Sequence, residues 1–159
     1  MQLFYNSIIN KDTKEITFDK VESKHIIKVL RKKEGDQIFI TNGKGELFIC
    51  KITIANYKRC LVSIISREEK KKLRDYYLHV ALSPLKNNDR LEWFLEKATE
   101  IGIDEITLVI CDNSERKFIK AERLEKIILA AMKQSLKFEL PKLNTVITFS
   151  EFLKKEYTN

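Results

Sequence analysis

Lys86-Asn87-Asn88-Asp89-Arg90, the segment Leu91-Glu92-Trp93-Phe94-Leu95-Glu96-Lys97-Ala98-Thr99-Glu100-Ile101-Gly102, the apolar run Glu105–Ile110 and Ser114-Glu115-Arg116-Lys117 follow one another in this chain. A strand over 77–83 precedes them. Leu91, Phe94, Leu95 and Ala98 repeat at helical spacing, so residues 89–101 read as a helix that Gly102 caps. Residues 105–110 then read as the next strand. Strand, helix, strand implies a parallel sheet with a crossover helix, and both basic loops then lie at the carboxyl edge, where such sheets bind ligands. A positive edge favours an anionic partner.

The rhythm continues to the last residue. A helix is expected over 121–138, with Leu124, Ile127, Ile128, Ala131 and Met132 on one face. A short strand is expected over 145–147. Thr148 and Glu151 have the spacing of a capping box for a final helix. Three strands and a terminal helix make about half of a usual doubly wound domain.

Residues 1–68 read differently. Gln37–Thr41, 47–55 and 59–66 are rich in Ile, Val and Phe. Asn42-Gly43-Lys44-Gly45 separates the first two as a tight hairpin, and Asn56-Tyr57-Lys58 is a weaker turn. Short strands with regular turns suggest a small barrel. One helix interrupts it, with Ser23 as its cap, Ile26, Val29 and Leu30 as its apolar stripe and Gly35 as its stop. Between the halves, Arg67–Asp75 holds eight charged residues in nine and reads as a solvated linker or a phosphate-gripping strap. The expected organisation is a barrel over 1–68, a linker over 69–75 and an α/β domain over 76–159.

At 159 residues the chain buries enough surface to fold without disulfide or metal. Cys50, Cys60 and Cys111 have no ligand spacing and read as buried, reduced thiols of a cytosolic protein. No apolar run approaches the length of a membrane span, and the N-terminus lacks the pattern of a secretion signal. Lys and Arg number 30 against 23 acids, a formal charge of +7 that raises the chance of a nucleic-acid partner.

Arg90, Trp93, Lys97 and Glu100 share one face of the 89–101 helix. They suit an RNA contact, with Arg90 and Lys97 on phosphate and Trp93 on a base or ribose. Packing of Trp93 and an ordinary Lys97–Glu100 ion pair explain the same spacing. Lys86 and Arg116 lie in the two edge loops, and a guanidinium such as Arg116 suits a phosphate. Lys28, Arg31 and Lys32 make the barrel's helix basic, whereas His25 lacks a neighbouring nucleophile or carboxylate and reads as structural. The α/β half has a single glycine, so neither GxGxxG nor GxxxxGK[ST] occurs, and no metal-binding or nucleophile-base motif appears. No complete catalytic site is visible.

His25-Ile26-Ile27-Lys28-Val29-Leu30-Arg31, Glu34-Gly35-Asp36 and Asn42-Gly43-Lys44-Gly45 resemble the N-terminal domain of the bacterial 16S rRNA uridine N3-methyltransferases, the RsmE family. The 86–90 loop, Glu96–Gly102, Ser114-Glu115-Arg116 and Ala131-Met132-Lys133-Gln134-Ser135 followed by Pro141 resemble the first half of that family's catalytic domain. The resemblance implies an α+β chain: a PUA-like RNA-binding β-barrel followed by an incomplete SPOUT-type α/β domain with a parallel sheet. It implies methylation of a uridine of small-subunit RNA with S-adenosylmethionine, by a cytoplasmic homodimer. The family's cofactor pocket lies in a C-terminal knot built on a glycine-rich loop, which this sequence does not contain. The expectation is therefore a polypeptide truncated before the knot, inactive alone, with Lys28, Arg31, Lys86, Arg90, Lys97 and Arg116 facing RNA. No catalytic base is assigned; Glu100 and Glu115 are the nearest carboxylates. A non-catalytic rRNA-binding module is the alternative.

Overall fold

The computed structural model describes residues 1–70, 72, 74–84, 86–112, 114 and 119–155. They fall into two compact units, Met1–Lys72 and Leu73–Asn159.

The first unit holds β1 (Leu3–Tyr5), β2 (Glu15–Thr17), α1 (Lys20–Lys24), a π-helical turn (His25–Val29), β3 (Gln37–Thr41), β4 (Glu46–Ile54) and β5 (Leu61–Glu69). The strands form one sheet in the order β1-β3-β4-β5-β2. Only the β1–β3 pair is parallel. The expected barrel is thus a half-barrel, mixed and open along its path. Period-two alternation explains its core: Ile38, Ile40, Phe48, Cys50, Ile52 and Val62 are buried against Ile26 of the π-helical turn. Register shifts at Ile49/Cys50 and Ile52/Ile54 mark irregularities in the β4–β5 ladder.

Local chemistry departs from expectation at three places. Asp19, not Ser23, caps α1, its carboxylate accepting the Glu22 N–H at 2.8 Å. Ser23 is buried instead; its hydroxyl donates to the Phe18 carbonyl at 3.2 Å and accepts the Cys60 N–H at 2.8 Å. The helical segment ends at Val29 with Leu30 as its C-cap, Arg31 then turns left-handed (φ 54°), and Gly35 (φ 91°) serves the following turn. In the β3–β4 loop the positive φ values fall on Gly43 and Gly45, not on Asn42. The loop closes the expected hairpin, with Thr41 paired to Leu47 across antiparallel β3 and β4, and the Asn42 side chain shapes it by accepting the Lys44 N–H at 2.9 Å and donating to Glu46.

The second unit holds β6 (His79–Leu82), α2 (Asn88–Ile101), β7 (Glu105–Ile110), α3 (Ala121–Gln134), β8 (Lys142–Leu143), β9 (Ile147–Thr148) and α4 (Phe149–Lys154). β7 is central and parallel to β6, β8 and β9. Where one strand over 145–147 is expected, two short ones line the same flank of β7. Asn144 separates them: its amide donates to Glu105 and Thr107, which draws the chain inward between the two pairings. Leu91 and Leu95 of α2 and Leu124 and Ile128 of α3 pack over Ile106 and Leu108. Gly102 caps α2 with φ 107°, as its position in the sequence predicts. α3 stops four residues short of the expected end, because Leu136 turns left-handed (φ 54°) and the Lys137 N–H reaches back to Met132 at 3.0 Å. Thr148 and Glu151 form the expected capping box.

Cys50 and Cys60 are buried, but Cys111 is exposed, because it lies one residue past the end of β7. Two arginines of the charged run are paired with carboxylates. Arg67 pairs with Glu46 at 2.5 Å within the β4–β5 ladder, and Arg74 pairs with buried Asp104 at 2.6 Å. Among the described residues, no helix is long and apolar enough to cross a membrane.

Candidate nucleic-acid interface

Parallel pairing places the ends of β6, β7 and β9 at one edge of the second unit. The loops after β6 and β7 meet there: Ser83 Oγ lies 3.0 Å from Ser114 Oγ, and Ser114 Oγ accepts the Cys111 N–H at 2.9 Å. Asn87 closes the first loop by accepting the Asp89 N–H at 2.8 Å, which starts α2. Lys86 is exposed in that loop, and Arg90 is exposed one turn into the helix. The positive end of the α2 dipole adds to the field of both cations.

Arg90, Asp89, Trp93 and Phe94 line an open depression on α2. Trp93 is 63% exposed, so packing does not account for its ring. Lys97, on the same face, is placed differently. Its ammonium donates to Glu96 at 2.8 Å and to Glu100 at 3.0 Å, and these bonds raise its pKa. Its charge is matched by two carboxylates, whereas at the start of the helix Arg90 stands beside a single exposed acid, Asp89. Glu100, one of the two candidate bases, is engaged in this ion pair. Glu115 and Arg116 lie outside the described residues.

In the first unit, Lys28 and Arg31 are both exposed at the end of the π-helical turn. His25, expected to lack a neighbouring carboxylate, has Glu22 3.7 Å from its Nδ1 and packs against the Phe4 ring with centroids 6.1 Å apart.

A polar network has no counterpart among the sequence expectations. Glu105, at the start of β7, accepts from the Tyr77 hydroxyl at 2.6 Å, Lys142 at 2.9 Å and Asn144 at 2.5 Å. Burial pulls its carboxyl up, but these bonds and the His79 imidazole outweigh that and hold it down at about 2. The same Tyr77 bond, with burial, pushes the Tyr77 phenol up to about 12. Thr107 Oγ1 lies 2.7 Å from both His79 Nε2 and Asn144 Nδ2. The signal in the sequence is Glu105 and Thr107 alternating with Ile106 and Leu108, two polar side chains on one face of an otherwise apolar strand. The Glu105 end of the network is the amino end of β7, opposite the basic loops.

Comparison with known proteins places both units. Residues 73–159 match the family model of an RNA methyltransferase domain, and residues 18–65 match that of an RNA methyltransferase PUA domain. The chain is 30% identical over 163 residues to ribosomal RNA small subunit methyltransferase E of Bacillus subtilis, covering 98% of this chain and 62% of that protein. The protein of the same name from Rickettsia conorii is 28% identical, with 97% and 62% covered. The chain therefore spans a little over three-fifths of the length of these relatives. A crystal structure of a probable rRNA-methyltransferase from Porphyromonas gingivalis superposes with a TM-score of 0.88 at 37% identity, covering 99% of this chain and 65% of that one. The fold also matches ribosomal RNA small subunit methyltransferase E of Neisseria gonorrhoeae, bound to S-adenosyl methionine, with a TM-score of 0.83 at 20% identity over 99% of this chain and 67% of that one. The fold class is the expected one, a PUA-like module ahead of an α/β unit with a parallel sheet. Matched along both units and in the same order, this chain belongs to the RNA methyltransferase family whose catalytic domain follows a PUA domain.

Proposed function

We propose that this chain supplies the RNA-gripping part of a SPOUT-class enzyme that methylates N3 of a uridine in 16S rRNA. The whole protein works in the cytoplasm as a homodimer and takes its methyl group from S-adenosylmethionine. One observation carries the reading: exposed Lys86 and Arg90 stand at the carboxyl edge of the parallel sheet in the unit that matches the RNA methyltransferase domain. Lys28 and Arg31 give the PUA-matching unit a cationic surface of its own.

Among the described residues of the second unit, the only glycine is not placed to cradle a cofactor. The second unit's single glycine, Gly102, caps α2 at the end remote from the basic loops, so no glycine there lets backbone approach a nucleoside. Cofactor binding is assigned to the length of the relatives that this chain does not span. The test uses small ribosomal subunits from cells in which the parent gene is deleted. Incubated with the full gene product and methyl-labelled S-adenosylmethionine, their 16S rRNA is expected to yield labelled 3-methyluridine on nucleoside mass spectrometry. This chain alone is expected to transfer none. Label on a ribose or a base carbon, or no label with the full product, would overturn the assignment.

A further inference from the structure

Tyr57 stands in the turn between β4 and β5 with 43% of its surface exposed. Lys28 Nζ, from the π-helical turn, lies 5.3 Å from its ring centroid, and Lys58 Nζ lies 5.7 Å from it. Residues 28 and 57 meet only because the fold brings the helical segment to this turn. The turn itself is held by Asn56, whose side chain accepts the Lys58 N–H at 2.8 Å and whose carbonyl accepts the Arg59 N–H at 3.1 Å. Among the described residues neither lysine is paired with a carboxylate.

Two like charges drawn to one exposed ring repel each other, and their attraction to the ring is weak in water. A phosphate offers each ammonium a stronger, charge-assisted hydrogen bond. Long lysine stems can re-aim, and once they leave the ring its face is open to a flat, sequence-tolerant partner. We propose that Tyr57, Lys28 and Lys58 form a clamp for an unpaired RNA nucleotide, the base stacking on Tyr57 while the lysines bond the flanking phosphates. This rests on the RNA reading above and deepens it: the clamp requires a single-stranded residue, because a base inside a duplex cannot reach the ring.

Fluorescence anisotropy with a labelled RNA hairpin carrying an unpaired uridine loop, and with the blunt duplex of its stem, tests this on the full chain. Tyr57→Ala is expected to weaken hairpin binding about tenfold and to leave the duplex unchanged. Tyr57→Phe is expected to retain hairpin binding. Lys28→Ala with Lys58→Ala is expected to reduce the slope of log K on log salt by about 1.4. Thermal melting by circular dichroism checks that each variant is folded. Wild-type-like hairpin binding by Tyr57→Ala and the double lysine variant overturns the clamp and leaves the RNA reading intact, and equal losses on hairpin and duplex also overturn the clamp. A wild-type chain that binds neither RNA overturns both.

Discussion

Arg74 donates to the buried Asp104 carboxylate at 2.6 Å, to the Tyr76 carbonyl at 2.6 Å and to the Gly102 carbonyl, while Asp104 also accepts the Leu78 N–H at 2.6 Å. One guanidinium thus ties the entry to β6 to the turn before β7. Removing it takes the guanidinium's bond and charge away from a carboxylate with 3% side-chain exposure. Arg74→Ala is therefore expected to cost about 3 kcal/mol in urea unfolding, the scale for breaking a buried pair from one side. Glu105 gives a pH dependence. Its carboxyl titrates at about 2 in the folded chain against 4.5 for the free group. Below the higher value the unfolded chain binds a proton that the folded chain does not. Stability is thus complete above about pH 4.5, falls as pH drops and flattens near 2. Urea midpoints from pH 6 to 2 are expected to trace that fall, with a shallower slope for Glu105→Gln. Equal slopes in both proteins would remove Glu105 as the source.

Gly102 and Arg31 both turn left-handed just past a helical segment, and these two ends separate strain from sterics. Gly102 has φ 107°, and a Cβ built there meets nothing nearer than Lys137 Nζ at 3.8 Å. Gly102→Ala should cost about 1–2 kcal/mol through φ alone. Arg31 adopts φ 54° without the freedom of glycine. Arg31→Gly and Arg31→Ala both delete the cation, but the glycine variant should be about 1 kcal/mol the more stable, measured by chemical denaturation. The two ends also show what a sequence makes legible. Gly102, the Thr148–Glu151 box and the 37–41 and 105–110 strands announce themselves by residue type and period. The stop at Arg31 does not, because the wide π-turn carries the chain past a non-glycine residue that no propensity marks. Ser23 looks like a cap for the same reason that it is buried: a small hydroxyl can satisfy two backbone groups, and only the packing of α1 against Cys60 decides which two. Asn144, which splits one expected strand into two, acts through Glu105 and Thr107, nearly forty residues away in sequence, beyond the reach of any local pattern.

Across the whole molecule, charge is easier to read than its availability. The surplus of +7 and the positions of Lys28, Arg31, Lys86 and Arg90 are visible in the sequence, and all four are exposed. Lys97 has the same helical spacing as Arg90, yet Glu96 and Glu100 close around it, and Tyr57 and Lys58 carry no local signal because their partner lies 29 residues upstream of the ring. The distinction can be measured. Each phosphate neutralised contributes about 0.7 to the salt slope on single-stranded RNA. Replacing Lys28, Arg31 and Arg90 together by alanine should lower the slope of log K on log salt by about 2. Lys97→Ala should leave it nearly unchanged, since that ammonium already has its counter-charges. If Lys97→Ala lowers the slope as much as Arg90→Ala does, the ion pairs open on RNA and the positive edge extends along the whole of α2. If the triple variant keeps the wild-type slope, the +7 surplus is solvation, and neither basic surface touches phosphate.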